Sequence, residues 1–241
     1  MRYLWILALL WTGAAHAGDL ALVAPLQPAL TAEVVAAMSG RIRCVCVTEG
    51  DRVAAGDTLA LLDGAKLRLA QAAADVSYRK AKDRLDRAEM AGARGLLSAQ
   101  QVEALRCDAE AASIRLQQAR LALSRTVILS PMTGLIAECA VREGDSTSPS
   151  THLFRVIKPD DLTADLFIPP DRLDDLTIGQ KATACPVRLP DLRLPGHIAR
   201  ISPIIDPDSG TCRVIVLFPG AGTHVRPGTL ATIALDAPSD F

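Results

Sequence analysis

Residues 38–51 read MSGRIRCVCVTEGD, and residues 132–145 read MTGLIAECAVREGD. Seven positions recur identically at one constant offset, and two apolar positions downstream continue the match: Met38/Met132, Gly40/Gly134, Ile42/Ile136, Val47/Val141, Glu49/Glu143, Gly50/Gly144, Asp51/Asp145, Leu59/Leu153 and Leu62/Val156. Each copy predicts a glycine turn, an alternating strand, a Glu-Gly-Asp turn and a second strand, which is too little structure to bury an apolar face alone. The two halves, 38–63 and 127–157, are therefore expected to pack on each other as one split β domain.

In residues 64–126, between the two halves, apolar residues no longer alternate but recur every three or four positions. Two seams follow this spacing: Leu67, Gln71, Ala74, Tyr78, Ala81, Leu85 and Ala88, then Val102, Leu105, Ala109, Ala112, Leu116, Ala119 and Leu123. Heptad seams of this kind predict two long helices. Gly92 and Gly95 interrupt the pattern, and Ser98 with Gln101 forms a capping-box start for the second helix. The insertion is therefore predicted to be an antiparallel coiled-coil hairpin with an apolar tip at Leu96 and Leu97.

The flanking segments predict further β structure. Residues 18–37 read as an extended lead-in that adds a strand to a later sheet, and 237–241 as a tail. Lys158–Asp161 is predicted to be a turn and Pro170–Leu176 a short helix. Between such turns lie strand candidates at 162–168, 181–188, 197–201, 211–218 and 229–235, whose spacing predicts a small β-barrel over 158–236. The fold class is α+β and mostly β.

The N-terminus has the pattern of a secretory signal peptide. Arg2 precedes an apolar run, and Ala15-His16-Ala17 is a small-x-small cleavage site, so residues 1–17 are predicted to be removed. An uncleaved anchor is the alternative. Because no cysteine lies near the cut, a lipid anchor is not expected, and the mature chain is predicted to reside in the periplasm. The formal net charge of −1 and 3% aromatic content argue against a nucleic-acid partner.

Six cysteines in an exported chain raise the question of disulfides. Cys185 and Cys212 fall in two strands that are predicted to be neighbours, so they are the disulfide candidates. Cys44 and Cys46 share a strand face, which is unsuitable for a bridge between them but suits a soft metal, with Cys139 as a candidate third ligand. The plainer interpretation is that these cysteines are small buried hydrophobes.

The sequence contains no catalytic constellation. It has no phosphate-binding glycine loop, no dinucleotide fingerprint, no His-Glu-x-x-His and no Gly-x-Ser-x-Gly. His152, His197 and His224 lie in separate segments without ligand spacing. The chain is therefore not expected to be an enzyme, and no cofactor is expected.

The split repeat resembles the two halves of a lipoyl or biotinyl domain, and with its inserted hairpin it resembles the periplasmic adaptors, or membrane fusion proteins, of tripartite efflux pumps. The tip is similar to the family's channel-docking motif, from which Ala91 and Glu103 depart. The resemblance implies that the tip residues contact a channel: Arg87, Arg94, Leu96, Leu97, Ser98, Gln101, Val102 and Glu103. The segments 175–184, 201–211 and 226–228 resemble the family's barrel domain.

This resemblance implies an adaptor without chemistry of its own. It would bridge an inner-membrane transporter of the resistance-nodulation-division (RND) type to an outer-membrane channel, as a hexamer or trimer of dimers, for export of small molecules or metal ions. Because the sequence stops soon after Leu235, contact with the transporter is expected to rest mainly on the barrel. The alternatives are an adaptor for an ATP-driven (ABC) exporter, a carrier acylated at Lys66, and a periplasmic metal-binding protein.

Overall fold

The computed structural model describes residues 20–236, so the predicted signal peptide and the 237–241 tail lie outside the described residues. The chain folds into two compact units. One unit is Thr31–Lys158, and the other joins residues 20–30 to residues 159–236. Strand β2 (Gln27–Val35) and strand β9 (His152–Ile168) each contribute to both units.

The strands of the Thr31–Lys158 unit repeat their pairing as well as their sequence. They are β3 (Gly40–Val45), β4 (Arg52–Val53), β5 (Thr58–Leu62), β6 (Val127–Leu129), β7 (Gly134–Cys139) and β8 (Ser146–Thr147), with the first part of β9. In the first half β3 pairs with β5, and in the second half β7 pairs with β9 in the equivalent register, including an equivalent irregularity. The predicted repeat is therefore present in the structure.

Reciprocal backbone hydrogen bonds also join the two halves to each other. The Ile42 amide donates to the carbonyl of Asp145, and the equivalent Ile136 amide donates to the carbonyl of Asp51, at 2.8 and 2.9 Å. The exchange extends to the turns, because β3 pairs with β8 as β7 pairs with β4. Ile42 and Ile136 are each 1% exposed in one shared core. This exchange explains why neither half is predicted to fold alone.

Two helices project from this unit between β5 and β6. They are α1 (Ala65–Gly92) and α2 (Ala99–Ser124). The helices run antiparallel, because Glu89 pairs with Arg106 near one end while Asp75 pairs with Arg120 toward the other. Every residue of the two predicted seams is buried or half-buried. The hairpin prediction is confirmed, whereas supercoiling of its helices remains a prediction.

The other unit is an antiparallel sheet. Its strands are β1 (Leu20–Pro25), β10 (Lys181–Pro186), β11 (Leu194–Ile205), β12 (Cys212–Phe218) and β13 (Leu230–Leu235), with the second part of β9. They pair in the order β1, β13, β10, β11, β12, β9. Alternate residues along β9, β10, β12 and β13 are buried in one apolar core. The predicted strands are present, and β1 confirms that the lead-in adds a strand to this sheet.

One local prediction is wrong, and another is only partly correct. Lys158–Asp161 is not a turn, because β9 runs through it without a break. Pro159 lies between the residues of β9 that pair with β7 and those that pair with β12. The helix predicted over Pro170–Leu176 is a single 3₁₀ turn at Pro170–Arg172.

Replacing Gly134 with alanine should destabilise the protein by about 1–3 kcal/mol, because an added Cβ would collide with the carbonyl of Ile157 in β9. The matched control is Gly40→Ala at the equivalent position of the first half, where a Cβ would meet the side chain of Leu62 at ordinary contact distance, with Cδ1 nearest at 3.4 Å. Urea denaturation of both variants measures the difference. Equal stability of the two would contradict the close approach of β7 and β9.

Four charged or titratable side chains join three strands of the Thr31–Lys158 unit. Arg155 binds Glu33 through Nε at 2.7 Å and Glu138 through Nη1 at 2.9 Å, and His152 Nδ1 lies 2.7 Å from Glu33. The hydrogen bond from Arg155 lowers the pKa of Glu33. Since the folded pKa is lowered, the stabilisation by Glu33 is present above the unfolded pKa and is lost as pH falls through the folded pKa.

A Glu33→Gln variant should therefore be less stable than the wild type at neutral pH and approach wild-type stability in acid. The physical reason is that the wild type loses the Glu33–Arg155 ion pair on protonation, whereas the amide has no charge to lose. Thermal unfolding midpoints of both proteins between neutral pH and pH about 3 would measure this convergence. A constant difference across that range would show that the ion pair does not stabilise the fold.

Candidate functional site

The hairpin tip is a short, fully capped turn between the two helices. Gly95 adopts φ +73°, and the Leu96 amide donates to the Ala91 carbonyl at 3.0 Å, which closes α1 with a Schellman-type motif. Two residues later Ser98 opens α2: its Oγ accepts from the Gln101 amide at 3.3 Å, and the Gln101 side chain accepts from the Ser98 amide at 2.9 Å. The predicted capping box is therefore confirmed, and both helix ends at the tip are held in one conformation.

The capped turn presents apolar side chains outward. Leu96 is 73% exposed and Met90 is 62% exposed. Leu97 is half-buried and lines a shallow groove of about 540 Å³ together with Val102 and Gly92. The helices approach closely at this groove, because a Cβ on Gly92 would lie 3.0 Å from Val102 Cγ2. The tip thus combines an exposed leucine with an open groove beside it.

A charged network forms one wall of the groove. Arg106 Nη2 donates to Glu89 Oε1 at 2.9 Å across the two helices, and Arg106 Nη1 lies 3.7 Å from Glu103 Oε2 on its own helix. The hydrogen bond to Glu89 raises the pKa of Arg106 above its usual value. Arg106 is shared between two carboxylates that are themselves exposed, so acceptor oxygens remain accessible on this wall.

The structure separates the predicted tip residues by position. Leu96, Leu97, Val102 and Glu103 lie at the groove or beside it, and Arg94 is exposed in the turn. Ser98 and Gln101 are engaged with each other as the cap, and Arg87 is an exposed residue of α1 that precedes the turn. Sequence reasoning missed Arg106 and Glu89. Their signal was available, since Glu103 and Arg106 are spaced i, i+3 and Glu89 faces them in an antiparallel hairpin.

The predicted disulfide is wrong, since Cys185 and Cys212 are both free thiols. Their strands, β10 and β12, are not neighbours, because both pair with β11. His197 of β11 pairs with Lys181 of β10 on one side and with Leu217 of β12 on the other. Because β10 and β12 run in the same direction, Cys185, which follows Lys181, and Cys212, which precedes Leu217, lie toward opposite ends of the sheet. A disulfide requires Cα atoms within about 7 Å, so this arrangement excludes one.

Two family models match the sequence and together cover both structural units. The model described as "RND MFP, barrel-sandwich hybrid domain" matches residues 30–158, and the model described as "CusB-like, beta-barrel domain" matches residues 164–239. The fold with its projecting hairpin is thus that of a membrane fusion protein with a β-barrel domain. The chain belongs to the RND membrane fusion protein family.

Individual relatives agree with this family. The nodulation protein NolF of Rhizobium meliloti is 25% identical over 93% of this chain and 65% of its own length. The nickel and cobalt resistance protein CnrB of Cupriavidus metallidurans is 29% identical over 88% of this chain and 59% of its own length. The chain therefore spans less than two thirds of either relative.

Among solved structures, a MacA–MexA chimera that contains the MexA α-hairpin domain of Pseudomonas aeruginosa superimposes with a TM-score of 0.85. The match covers 91% of this chain and 81% of the chimera at 19% identity, so it establishes the likeness of fold. Within residues 20–236, neither helix is long and apolar enough to cross a membrane.

Proposed function

We propose that this protein is a periplasmic adaptor that bridges an inner-membrane efflux transporter of the RND type to an outer-membrane channel. The observation that carries this proposal is the capped apolar tip, where Leu96 is 73% exposed at the end of a long hairpin. An exposed apolar residue on a rigid projecting element is typical of a contact surface. At about 1.5 Å per residue, the 28 residues of α1 place that surface roughly 40 Å from the β unit.

Each part then has a mechanical role. The split β domain, which we interpret as lipoyl-like, holds the ends of the hairpin, because β5 leads into α1 and α2 leads into β6. The tip docks on the channel through Leu96, Leu97 and the groove beside them. The β-barrel domain faces the transporter. The adaptor assembles as a hexamer or a trimer of dimers around the path that the exported substrate takes from transporter to channel. The transporter supplies the energy, so the adaptor needs no catalytic residue or cofactor.

The transporter, rather than the adaptor, selects the exported substrate. Small molecules and metal ions are both compatible with this proposal, and the relative CnrB is named a nickel and cobalt resistance protein. Another relative, EmrA of Escherichia coli, is named a multidrug export protein and is 36% identical over only 30% of this chain. An ATP-driven exporter is the alternative motor.

The carrier hypothesis is disfavoured by the position of its lysine. Carriers display the modified lysine on a tight turn between the two halves, whereas Lys66 is the second residue of α1 and begins the hairpin. Mass spectrometry that found an acyl group on Lys66 would revive this alternative.

The proposal is tested by purifying the tagged protein from the envelope of its own cells in mild detergent and identifying the co-purified membrane proteins. Recovery of an RND transporter together with an outer-membrane channel is the expected result. Recovery of an ABC transporter would support the alternative motor, and recovery of neither class would contradict the adaptor role.

A further inference from the structure

Two cysteines at the end of β3, Cys44 within it and Cys46 just after it, do not behave as buried hydrophobes. Cys46 is exposed and Cys44 is half-buried, whereas among the six cysteines of the described chain only Cys212 is buried. Free cysteine is one of the residue types that proteins bury most often. The plainer interpretation from the sequence is therefore wrong for Cys46, and the position of this thiol at the surface needs another explanation.

The backbone fixes how the two thiols face each other. After an irregularity between Ile42 and Cys44, Cys44 lies opposite Leu61 of β5. The amide of Cys46, the first residue past β3, donates to the Leu59 carbonyl at 2.8 Å, so the hydrogen bonding to β5 continues through both cysteines. Residues two apart on a strand point to the same face, about 6.6 Å apart. Partial desolvation and, after it, the neighbouring Cys44 thiol raise the pKa of Cys46.

This spacing disfavours a disulfide and suits a bridging metal ion. A disulfide needs Cβ atoms about 3.8 Å apart, and two extended same-face residues keep them farther apart unless the strand distorts. Two metal–thiolate bonds of about 2.3 Å in a line separate the sulfurs by about 4.6 Å. Side-chain rotation alone can bring the two sulfurs of Cys44 and Cys46 to that distance.

The number of ligands selects the class of metal. The Cys139 thiol is engaged with the Val141 carbonyl at 3.4 Å. Within residues 20–236 no group of three or more His, Cys, Asp or Glu side chains has the geometry to hold a metal ion. Zinc requires four ligands in a structural site and three protein ligands in a catalytic one. Soft monovalent ions such as Cu(I) prefer thiolates and accept two of them.

We propose that Cys44 and Cys46 form a two-coordinate site for one soft monovalent cation, Cu(I) or Ag(I). Binding replaces both thiol protons: M⁺ and two Cys–SH give one Cys–S–M–S–Cys unit with a net charge of −1 and two released protons, without any change of oxidation state. Two charged side chains act on Cys46: Glu143 disfavours its thiolate, and Arg43, between the two cysteines, favours it less strongly. Because binding releases two protons, affinity should rise with pH.

The test uses the full mature chain, reduced and kept anaerobic, in competition with a chromogenic Cu(I) chelator. Wild type should withdraw one equivalent of Cu(I) with proton release. Cys44→Ser and Cys46→Ser should each weaken binding about a hundredfold or more, because a chelate becomes a single ligand. Cys107→Ser and Cys139→Ser are matched single-thiol controls that should bind as wild type, and circular dichroism confirms that every variant is folded.

Three results would overturn the site. The first is equal Cu(I) affinity of wild type and the Cys44→Ser variant. The second is a loss of Cu(I) affinity in the Cys107→Ser control as large as that in Cys44→Ser. The third is a Cys44–Cys46 disulfide in protein isolated without reductant. Retention of Zn(II) with an affinity similar to that for Cu(I) would contradict the two-coordinate assignment. None of these measurements requires a transporter or a channel, so the site and the adaptor role can fail independently.

Discussion

A Leu96→Glu variant is expected to lose efflux and sensitise cells to the exported compound as strongly as deletion of the gene. In the proposed complex Leu96 is buried against the channel, so the substitution places an unpaired carboxylate in an apolar contact. Such a change costs about 3 kcal/mol or more, which weakens docking by at least about a hundredfold. Folding should be unaffected, because Leu96 is 73% exposed in the isolated chain.

The matched control is Leu69→Glu. Leu69 lies on α1 near its start, far along the helix from the tip, and it is also 73% exposed. This control should retain efflux. Ser98 is less suitable for the test, because its replacement would also remove the cap of α2 at a cost of about 1 kcal/mol. Normal efflux by folded Leu96→Glu would exclude the tip as the docking surface.

A Leu116→Ala variant should destabilise the hairpin by about 2–4 kcal/mol, because it leaves a cavity in the seam between the helices. Leu116 is 4% exposed, and it lies with Ala109 and Ala112 on the buried face of α2. The control is Leu121→Ala on the same helix, where the leucine is 55% exposed and the expected change is about 0.5 kcal/mol or less.

Native-state hydrogen exchange measures the Leu116→Ala effect locally. Amides of α1 and α2 should lose protection in Leu116→Ala while those of β11 and β12 keep it, since these strands belong to the other compact unit. Uniform loss of protection across both units would show that the hairpin does not unfold as an independent part.

The elements that were predictable from the sequence are those with a repeating pattern. The recurrence of Ile42 at Ile136 predicted two equivalent strands, and their amides exchange equivalent hydrogen bonds. The heptad spacing predicted which faces of α1 and α2 are covered, and Ser98 with Gln101 predicted where α2 begins. Each of these signals depends on contacts whose sequence spacing is fixed by the geometry of a strand, a helix or a cap.

The predictions that failed depend on contacts that no local pattern records. Lys158–Asp161 has turn composition, yet β9 continues through it because its two parts pair with different strands. Cys185 and Cys212 were expected in neighbouring strands, but β11 lies between them. Strand order and pairing partners are set by the whole sheet, and composition does not encode them.

The candidate site was only partly predictable for a similar reason. The apolar tip at Leu96 follows from two leucines between a helix-ending glycine and a capping serine. The network at Arg106 required the relative register of the two helices, which the sequence fixes only approximately. The register places Glu89 within 2.9 Å of Arg106.

The measurement that tests the adaptor role most directly is photocrosslinking in living cells from a light-activated residue at Leu96 and, separately, from one at Ile178 in the barrel unit. Ile178 is 69% exposed. The account predicts capture of an outer-membrane channel at Leu96 and of an inner-membrane transporter at Ile178, with neither captured from Leu69. Capture of no envelope protein at either position, from a protein that is exported and folded, would contradict it.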